Sequence, residues 1–196
     1  MKRIIKKSDS LVVTKGLKYK KGQSENNRQL REILEEEQNY FCAYTECRLT
    51  AETARDVEHF NPTLKNQPND HYGNWFAVSH RWNNAFKRDG LWETIKGNIL
   101  KPTDEDLEKR LWYDEVTGWY QHEKEDLAAH HLVQYLQLNH IELVNQRNNH
   151  IQLIKDLYEE AGLDTNFDYW LNNPATKKGL IEYRRAMETV FGVILN

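Results

Sequence analysis

An α+β fold is what this sequence predicts, an irregular centre held between helices, and three observations predict it. Apolar residues recur at helical spacing before position 40 and again from Glu123 onward. Between these stretches, residues 41–122 hold only short apolar runs broken by Asn, Asp, Gly and Pro. The composition is polar but globular, with 39% hydrophobic residues. Six Trp and ten Tyr let a packed core form from few aliphatics. At 196 residues a single domain is expected.

The elements follow in order. Residues 1–24 read as an extended or weakly ordered basic arm. Ser24 is expected to cap a helix running to about Tyr40, with Leu30, Ile33, Leu34 and Phe41 near one face and Glu35-Glu36-Glu37 on its wet side. Val57 and Phe60 suggest a short strand through Glu58-His59. Residues 66–73, around Pro68 and the Asn69-Asp70 pair, read as a loop. Residues 79–87 read as a short helix because Trp82 and Phe86 recur at i, i+4; on it Asn84 and Lys87 share a face, with His80 one turn before Asn84. Thr103 is expected to cap a helical turn reaching Arg110. Leu111-Trp112-Tyr113 and Trp119-Tyr120 read as a hairpin in which Trp112 and Trp119 pack across the strands. Leu127, His131, Leu132, Tyr135, Leu136 and Leu138 mark one amphipathic helix. Ile141, Leu143, Val144, Ile151, Ile154, Leu157 and Tyr158 mark a longer one, ended by Gly162. Asn173-Pro174 reads as a cap and first-turn proline opening a last helix through Ile181, Met187, Val190 and Phe191. The chain then divides into a basic arm (1–24), a centre with its flanking helix and hairpin (25–122), and a helical region packed on it (123–196).

Bulk properties narrow the function classes. No apolar run approaches the roughly 20 residues that span a bilayer, and the first residues lack the apolar core of a secretory signal, so a cytoplasmic location is expected. Two cysteines, Cys42 and Cys47, suit a reducing compartment and make no disulfide framework. The net charge of -3 is not that of a free-standing, tight DNA binder. It is unevenly spread: Lys2, Arg3, Lys6, Lys7, Lys15, Lys18, Lys20 and Lys21 face one acid, Asp9, in the first 21 residues. Such an arm is either simply solvated or contacts phosphate or a partner.

The chemistry lies in the centre. Asp56-Val57-Glu58-His59-Phe60-Asn61-Pro62 is followed by Gly73-Asn74-Trp75-Phe76 and by His80-Arg81-Trp82-Asn83-Asn84-Ala85-Phe86-Lys87. A carboxylate beside a histidine, then an isolated Asn, then an Asn opening N-x-x-K: this order resembles the HNH (His-Me finger) endonucleases. The resemblance implies a ββα-metal core embedded in a mainly helical single domain. It also implies roles: Glu58 and Asn84 holding one divalent metal, Mg²⁺ or Mn²⁺, His59 as the base, Asn74 as the structural Asn, and Lys87 toward phosphate. Asp56, His80 and Asn83 stand beside them as further candidate ligands, and the Asn83-Asn84 pair leaves the ligand open by one position. The physics agrees with such a division of labour. A neutral imidazole can deprotonate water near physiological pH. A hard cation takes carboxylate and amide oxygens and stabilises the phosphorane-like charge. On a strand, however, Glu58 and His59 can share one site only if the strand ends or bends there.

The likeness is narrower still. Phe41-Cys42-Ala43-Tyr44-Thr45-Glu46, Ile99-Leu100-Lys101-Pro102, Tyr113-Asp114 with Thr117-Gly118, and Leu138-Asn139 followed by Leu143 and Arg147 are similar to the PtuB-like HNH proteins of Septu and retron antiphage systems. That likeness implies a DNA-cutting effector working with a PtuA-like ATPase partner. The alternatives are a catalytically decayed binding or scaffold subunit and a stand-alone restriction or toxin nuclease. Many HNH proteins carry two Cys pairs on a structural zinc. Here the pairs read Cys42 with Cys47 and His80 with Asn83, so a structural zinc is not expected.

Overall fold

The computed structural model describes residues 1–95, 97–160, 166–172 and 180–195. Two antiparallel strands stand at the centre. β1 (Arg55–His59) pairs with β2 (Trp75–Ser79), Glu58 opposite Phe76 and His59 opposite Trp75. The apolar run Trp75-Phe76-Ala77-Val78 is buried throughout, as a strand covered on both faces must be. Helix α3 (His80–Ala85) follows β2 directly and packs on both strands. Its Trp82 and Phe86 stack at 4.2 Å, and the Trp82 Nε1 donates to the Leu136 carbonyl at 2.9 Å, so the i, i+4 pair faces inward as expected.

The outer edge of β2 is closed by side chains. Gln38 Nε2 donates to the Ala77 carbonyl at 2.8 Å, and the Ala77 N–H donates to Gln38 Oε1 at 2.9 Å. The Ala43 N–H reaches the same carbonyl at 3.1 Å, and the Lys6 ammonium donates to the Trp75 carbonyl. An edge that would otherwise template another strand is thereby satisfied. The second sheet uses the same device. β3 (Trp112–Asp114) and β4 (Trp119–Gln121) form the expected hairpin, and Asn139 accepts from the Tyr120 N–H at 2.7 Å while donating to its carbonyl at 2.9 Å. The cross-strand aromatic pair is Tyr113 with Tyr120, at 5.9 Å, rather than Trp112 with Trp119. The register sets Trp119 opposite Asp114 and Trp112 opposite Gln121, which separates the two indoles. Gly118 closes the turn at φ 72°; a Cβ there would lie 2.6 Å from Asn148 Oδ1, so only glycine fits.

Preceding the centre, α1 (Leu11–Thr14) and α2 (Ser24–Glu37) cover it from one side. Leu30, Ile33 and Leu34 of α2 are buried, as their spacing requires. The helix starts one residue earlier than expected: Ser24 is its first residue, Gln23 flanks it, and no side chain caps it. It ends at Glu37, and Asn39 and Tyr40 then take left-handed conformations. The acidic triplet is not uniformly wet. Glu35 is buried between Arg31 (3.2 Å) and Arg55 (2.9 Å), while Glu37 accepts from Ser10 and Tyr72 and only Glu36 is exposed.

The start of the chain departs most from expectation. Met1, Ile4 and Val12 are in the core, Lys2 pairs with Glu188 at 2.9 Å, and the Ile4 N–H donates to the Pro102 carbonyl at 2.8 Å. Apolar residues among the early lysines are what anchor it. Residues 15–23 run along the surface between α1 and α2, with Leu17 and Tyr19 packed against the core.

α4 (Trp92–Ile95) and α5 (Leu107–Arg110) lead to the hairpin; Asp106 rather than Thr103 flanks the start of α5. α6 (Leu127–Leu136) and α7 (Ile141–Glu160) follow, then α8 (Phe167–Asn172) and α9 (Arg184–Phe191). Tyr135 of α6 meets Phe60 edge-on at 5.7 Å. Arg147 of α7 is buried with its guanidinium 4.8 Å from the Tyr120 ring and its Nη2 2.8 Å from the Leu138 carbonyl. Gly162, Asn173 and Pro174, expected as helix punctuation, lie outside the described residues. Among the described residues no helix is long and apolar enough to cross a membrane.

Candidate functional site

The strand period of two sorts the candidate residues of β1. Asp56 and Glu58 point to the α3 side and His59 to the other. The strand does not bend at Glu58: the Phe60 N–H still pairs with the Asn74 carbonyl at 2.9 Å. Glu58 and His59 therefore diverge.

Glu58 turns inward. Its carboxylate is buried against the Lys87 ammonium, which also reaches the His59 carbonyl at 3.1 Å and Asp89 Oδ1 at 2.7 Å. Burial pushes the Glu58 carboxyl above the usual carboxylate range, opposed by Lys87. The Tyr135 hydroxyl completes this knot between the Phe60 carbonyl (2.8 Å) and Asp89 Oδ1 (3.0 Å). Lys87, expected toward phosphate, has a fully buried side chain. The reason is local: α3 ends at Ala85, so Lys87 no longer shares a helical face with Asn84 and folds back under β1.

Asp56 opens outward, and the residues held as secondary candidates gather on it. Its carboxylate lies 2.9 Å from His80 Nδ1, 3.1 Å from Asn83 Nδ2 and 3.5 Å from Asn84 Nδ2. Asn83 is half-buried, and its amide is near enough to the Glu58 carboxylate to favour its charged form, so it sits between the two acids. Asn84 is exposed and bonds to its own turn, at the His80 carbonyl (3.0 Å). A hard divalent cation takes such oxygens together with water. Asp56 with the amides of Asn83 and Asn84 fits that requirement once each amide turns its Oδ1 toward the cleft, an exchange of near-isosteric atoms. Glu58 does not join this set, because Lys87 already serves as its counter-cation. Among the described residues no three His, Cys, Asp or Glu side chains converge as a metal-ligand group, so the set depends on amides and water.

His59 sits behind the strand in a different environment. Its Nε2 is 2.9 Å from Asp70 Oδ2, Trp75 flanks it, and the Tyr19 ring meets it edge-on at 4.6 Å. Burial pulls its imidazole down to about 4; Asp70 opposes this and Lys65 adds to it. The ring is thus neutral at physiological pH. Asn74 performs a holding role: its Nδ2 donates to Asp70 Oδ1 (3.0 Å) and the Asn61 carbonyl (3.1 Å), and its Oδ1 accepts from the Asn61 N–H (2.7 Å). One buried amide therefore fixes both the loop after β1 and the acid beside His59. Asp70 and Tyr19 are the neighbours the sequence did not nominate. Asp70 looked like a turn residue, and nothing in the spacing couples positions 59, 70 and 19.

His71 stays with its own turn, accepting from the Gly73 N–H at 3.1 Å. Cys42 Sγ accepts from the Ser79 N–H at 3.4 Å, while Cys47 Sγ faces the Tyr183 hydroxyl at 3.2 Å. The turn between them is closed by the backbone: the Cys42 N–H donates to the Cys47 carbonyl at 2.8 Å.

The Asp56 cluster floors a cleft of about 460 Å³. Arg28, paired with Glu25, Arg31 and Arg55, both paired with Glu35, and Lys65 stand around it, with Tyr19 on the side nearest His59. Oxygen-rich floor and cationic rim together suit a phosphodiester lying over a metal. No family model, curated protein or solved structure matches the chain. What fold and site define is an α+β protein with a strand–strand–helix centre and a polar, cation-rimmed cleft upon it.

Proposed function

We propose that this protein is an HNH-type endonuclease that hydrolyses DNA phosphodiester bonds, the nuclease effector of a bacterial antiphage system acting with a PtuA-like ATPase. The observation that carries the reading is the Asp56–His80–Asn83–Asn84 cluster at the junction of β1 and α3, on the floor of a cleft rimmed by Arg and Lys. In this reading Asp56 replaces Glu58 as the gripping carboxylate, and Asn83 joins Asn84. A divalent cation bound there supplies stabilisation of the charge that develops on phosphate. The chain's own residues divide the rest. His59, neutral and held beside Asp70, leaves β1 on the face opposite Asp56, so it takes a proton from water in this reading only once Tyr19 moves off it and the strand end turns its ring toward the cleft. Asn74 keeps that pair in place, and Lys65 draws in the phosphodiester.

The test is cutting of plasmid DNA with Mg²⁺ or Mn²⁺, alone and with the ATPase. His59→Ala is expected to abolish metal-dependent nicking while leaving the fold intact, read as an unchanged far-UV circular dichroism spectrum, with a lowered urea midpoint from the cavity it leaves. Undiminished nicking by that variant sinks the assignment. A second reading, a scaffold subunit with a decayed centre, has its own support. Glu58 is committed to Lys87, and His59 has a relative exposure of only 1%. No metal-dependent cutting by the wild-type complex would favour it.

A further inference from the structure

Lys6 packs on Trp75, Tyr72 and Phe76 and Lys7 is exposed ahead of α1; the other basic residues near the start of the chain fall into two sets. Lys2 and Arg3 are committed to acids: Lys2 to Glu188 and Glu108, Arg3 to Glu105. Lys15, Lys18, Lys20 and Lys21 are exposed, and among the described residues none has a carboxylate within ion-pair distance. They lie on residues 15–23, an irregular run between turns at 15–16 and 21–22 that joins α1 to α2, and the stretch borders the cleft through Tyr19.

That stretch also covers His59. The Tyr19 ring stands 4.6 Å from the imidazole, Lys65 Nζ lies 5.8 Å beyond it, and both ring nitrogens of His59 are closed to solvent. Leu17 anchors its start, packing on the core with its N–H on the Val12 carbonyl at 2.9 Å, and beyond it the attachment is slight. Asn26 Nδ2 donates to the Lys18 carbonyl (2.6 Å), and Asn27 pairs with both the N–H (3.0 Å) and carbonyl (2.7 Å) of Lys20. Gly16 and Gly22 bracket it with positive φ, and a Cβ at either would meet nothing within 4 Å. Three hydrogen bonds of about 1 kcal/mol each are within reach of a few phosphate contacts.

We propose that residues 15–23 form a phosphate-contacting strap for duplex DNA, which holds Tyr19 over His59 until the backbone engages Lys18, Lys20 and Lys21. The proposal rests on the nuclease reading of the same cleft and adds to it a surface and a cover. Unpaired lysines along one surface segment offer several contacts to the closely spaced charges of a duplex backbone. Their segregation from the paired set also explains how a chain of net charge -3 presents a cationic face.

The experiment reads binding without cutting. A fluorescein-labelled duplex of about 20 base pairs is titrated in EDTA, by anisotropy, between about 50 and 200 mM salt. The combined variant Lys18→Glu, Lys20→Glu, Lys21→Glu is expected to bind at least about tenfold more weakly, with the log–log salt slope shallower by about two to three. The matching Lys→Arg variant should retain binding. Unchanged affinity and slope in the Glu variant overturn the surface, as does tighter binding of a single-stranded RNA of equal length. For the cover, carbethoxylation of His59 is followed by peptide mass mapping. Tyr19→Ala should speed it several-fold, and an unchanged rate overturns the cover. Neither readout needs catalysis. Absent nicking with these results intact therefore sinks the nuclease reading alone, and unchanged binding with intact nicking sinks the strap alone.

Discussion

Asp56 and Glu58 stand two residues apart on one face of one strand, yet their carboxylates lead opposite lives. Glu58 is buried and held by Lys87, with Asp89 and Tyr135 completing the knot. Asp56 keeps 28% of its side chain exposed and meets only an imidazole and two amides, each able to turn away. The difference lies in where hydrogen-bonding capacity is committed. A carboxylate satisfied by a fixed internal cation contributes to fold specificity and has nothing left for a ligand. One that shares weak, rotatable partners at a cleft floor is the one available to a metal.

The largest effect that would break this contrast comes from Lys87. Lys87→Met leaves Glu58 buried without its cation and is expected to cost about 3–5 kcal/mol, read as a drop in urea midpoint. Adding Glu58→Leu to it should restore most of the loss, since replacing both partners by apolar groups is often near neutral. A single variant as stable as the wild type would mean that the knot is not the internal brace described here.

How far the sequence reveals this arrangement depends on the range of the interaction. Periodicity marks Leu30, Ile33 and Leu34 as the buried face of α2, and the turn residues between Tyr113 and Trp119 mark a hairpin. Local chemistry also draws attention to the segments around Glu58-His59 and Asn83-Asn84. The direction each side chain takes is not local. Lys87 folds inward because α3 stops at Ala85, and Asp70 reaches His59 across eleven residues because Asn74 holds the loop. Glu35 is likewise drawn inside by Arg31 and Arg55, the latter on a strand twenty residues away. The same blindness misjudges the first twelve residues, where Lys2 and Arg3 look solvated until their acid partners are placed beside them.

Lys6 sharpens the comparison from the side of the cation. Like Lys87 it is enclosed, but its ammonium has a carbonyl, that of Trp75, and the rings of Tyr72 and Phe76 at 4.4 Å in place of a carboxylate. Burial pulls its pKa down to about 7, with Glu37 opposing. Below pH 7 folded and unfolded chains are both protonated, and the cost of burying the cation is complete. Between about pH 7 and 10 the unfolded chain binds the extra proton, so this residue makes stability rise with pH. Lys6→Met is expected to gain on the order of 1–2 kcal/mol at pH 7 and to flatten that rise. Urea midpoints of both proteins across this window decide it. A destabilised variant with an unchanged slope would show that the contacts to Trp75, Tyr72 and Phe76 outweigh desolvation.

The smallest effect on stability carries the most functional weight. Asp56→Asn should change stability by less than about 1 kcal/mol, because its partners are partly exposed and an amide can replace the lost acceptor. Glu58→Gln should cost more, since Lys87 then retains as charged partner the exposed Asp89, beside the neutral His59 carbonyl. Metal binding should rank the two in reverse. Followed by the electron paramagnetic resonance of Mn²⁺, Asp56→Asn is expected to weaken binding about tenfold or more, while Glu58→Gln leaves it within about twofold. The opposite ranking would return the grip to Glu58, as the HNH resemblance implies, and would require Lys87 to leave its buried seat when metal enters. That requirement can itself be checked: Lys87 would then become reactive toward acetylation in the presence of Mn²⁺ and remain protected without it.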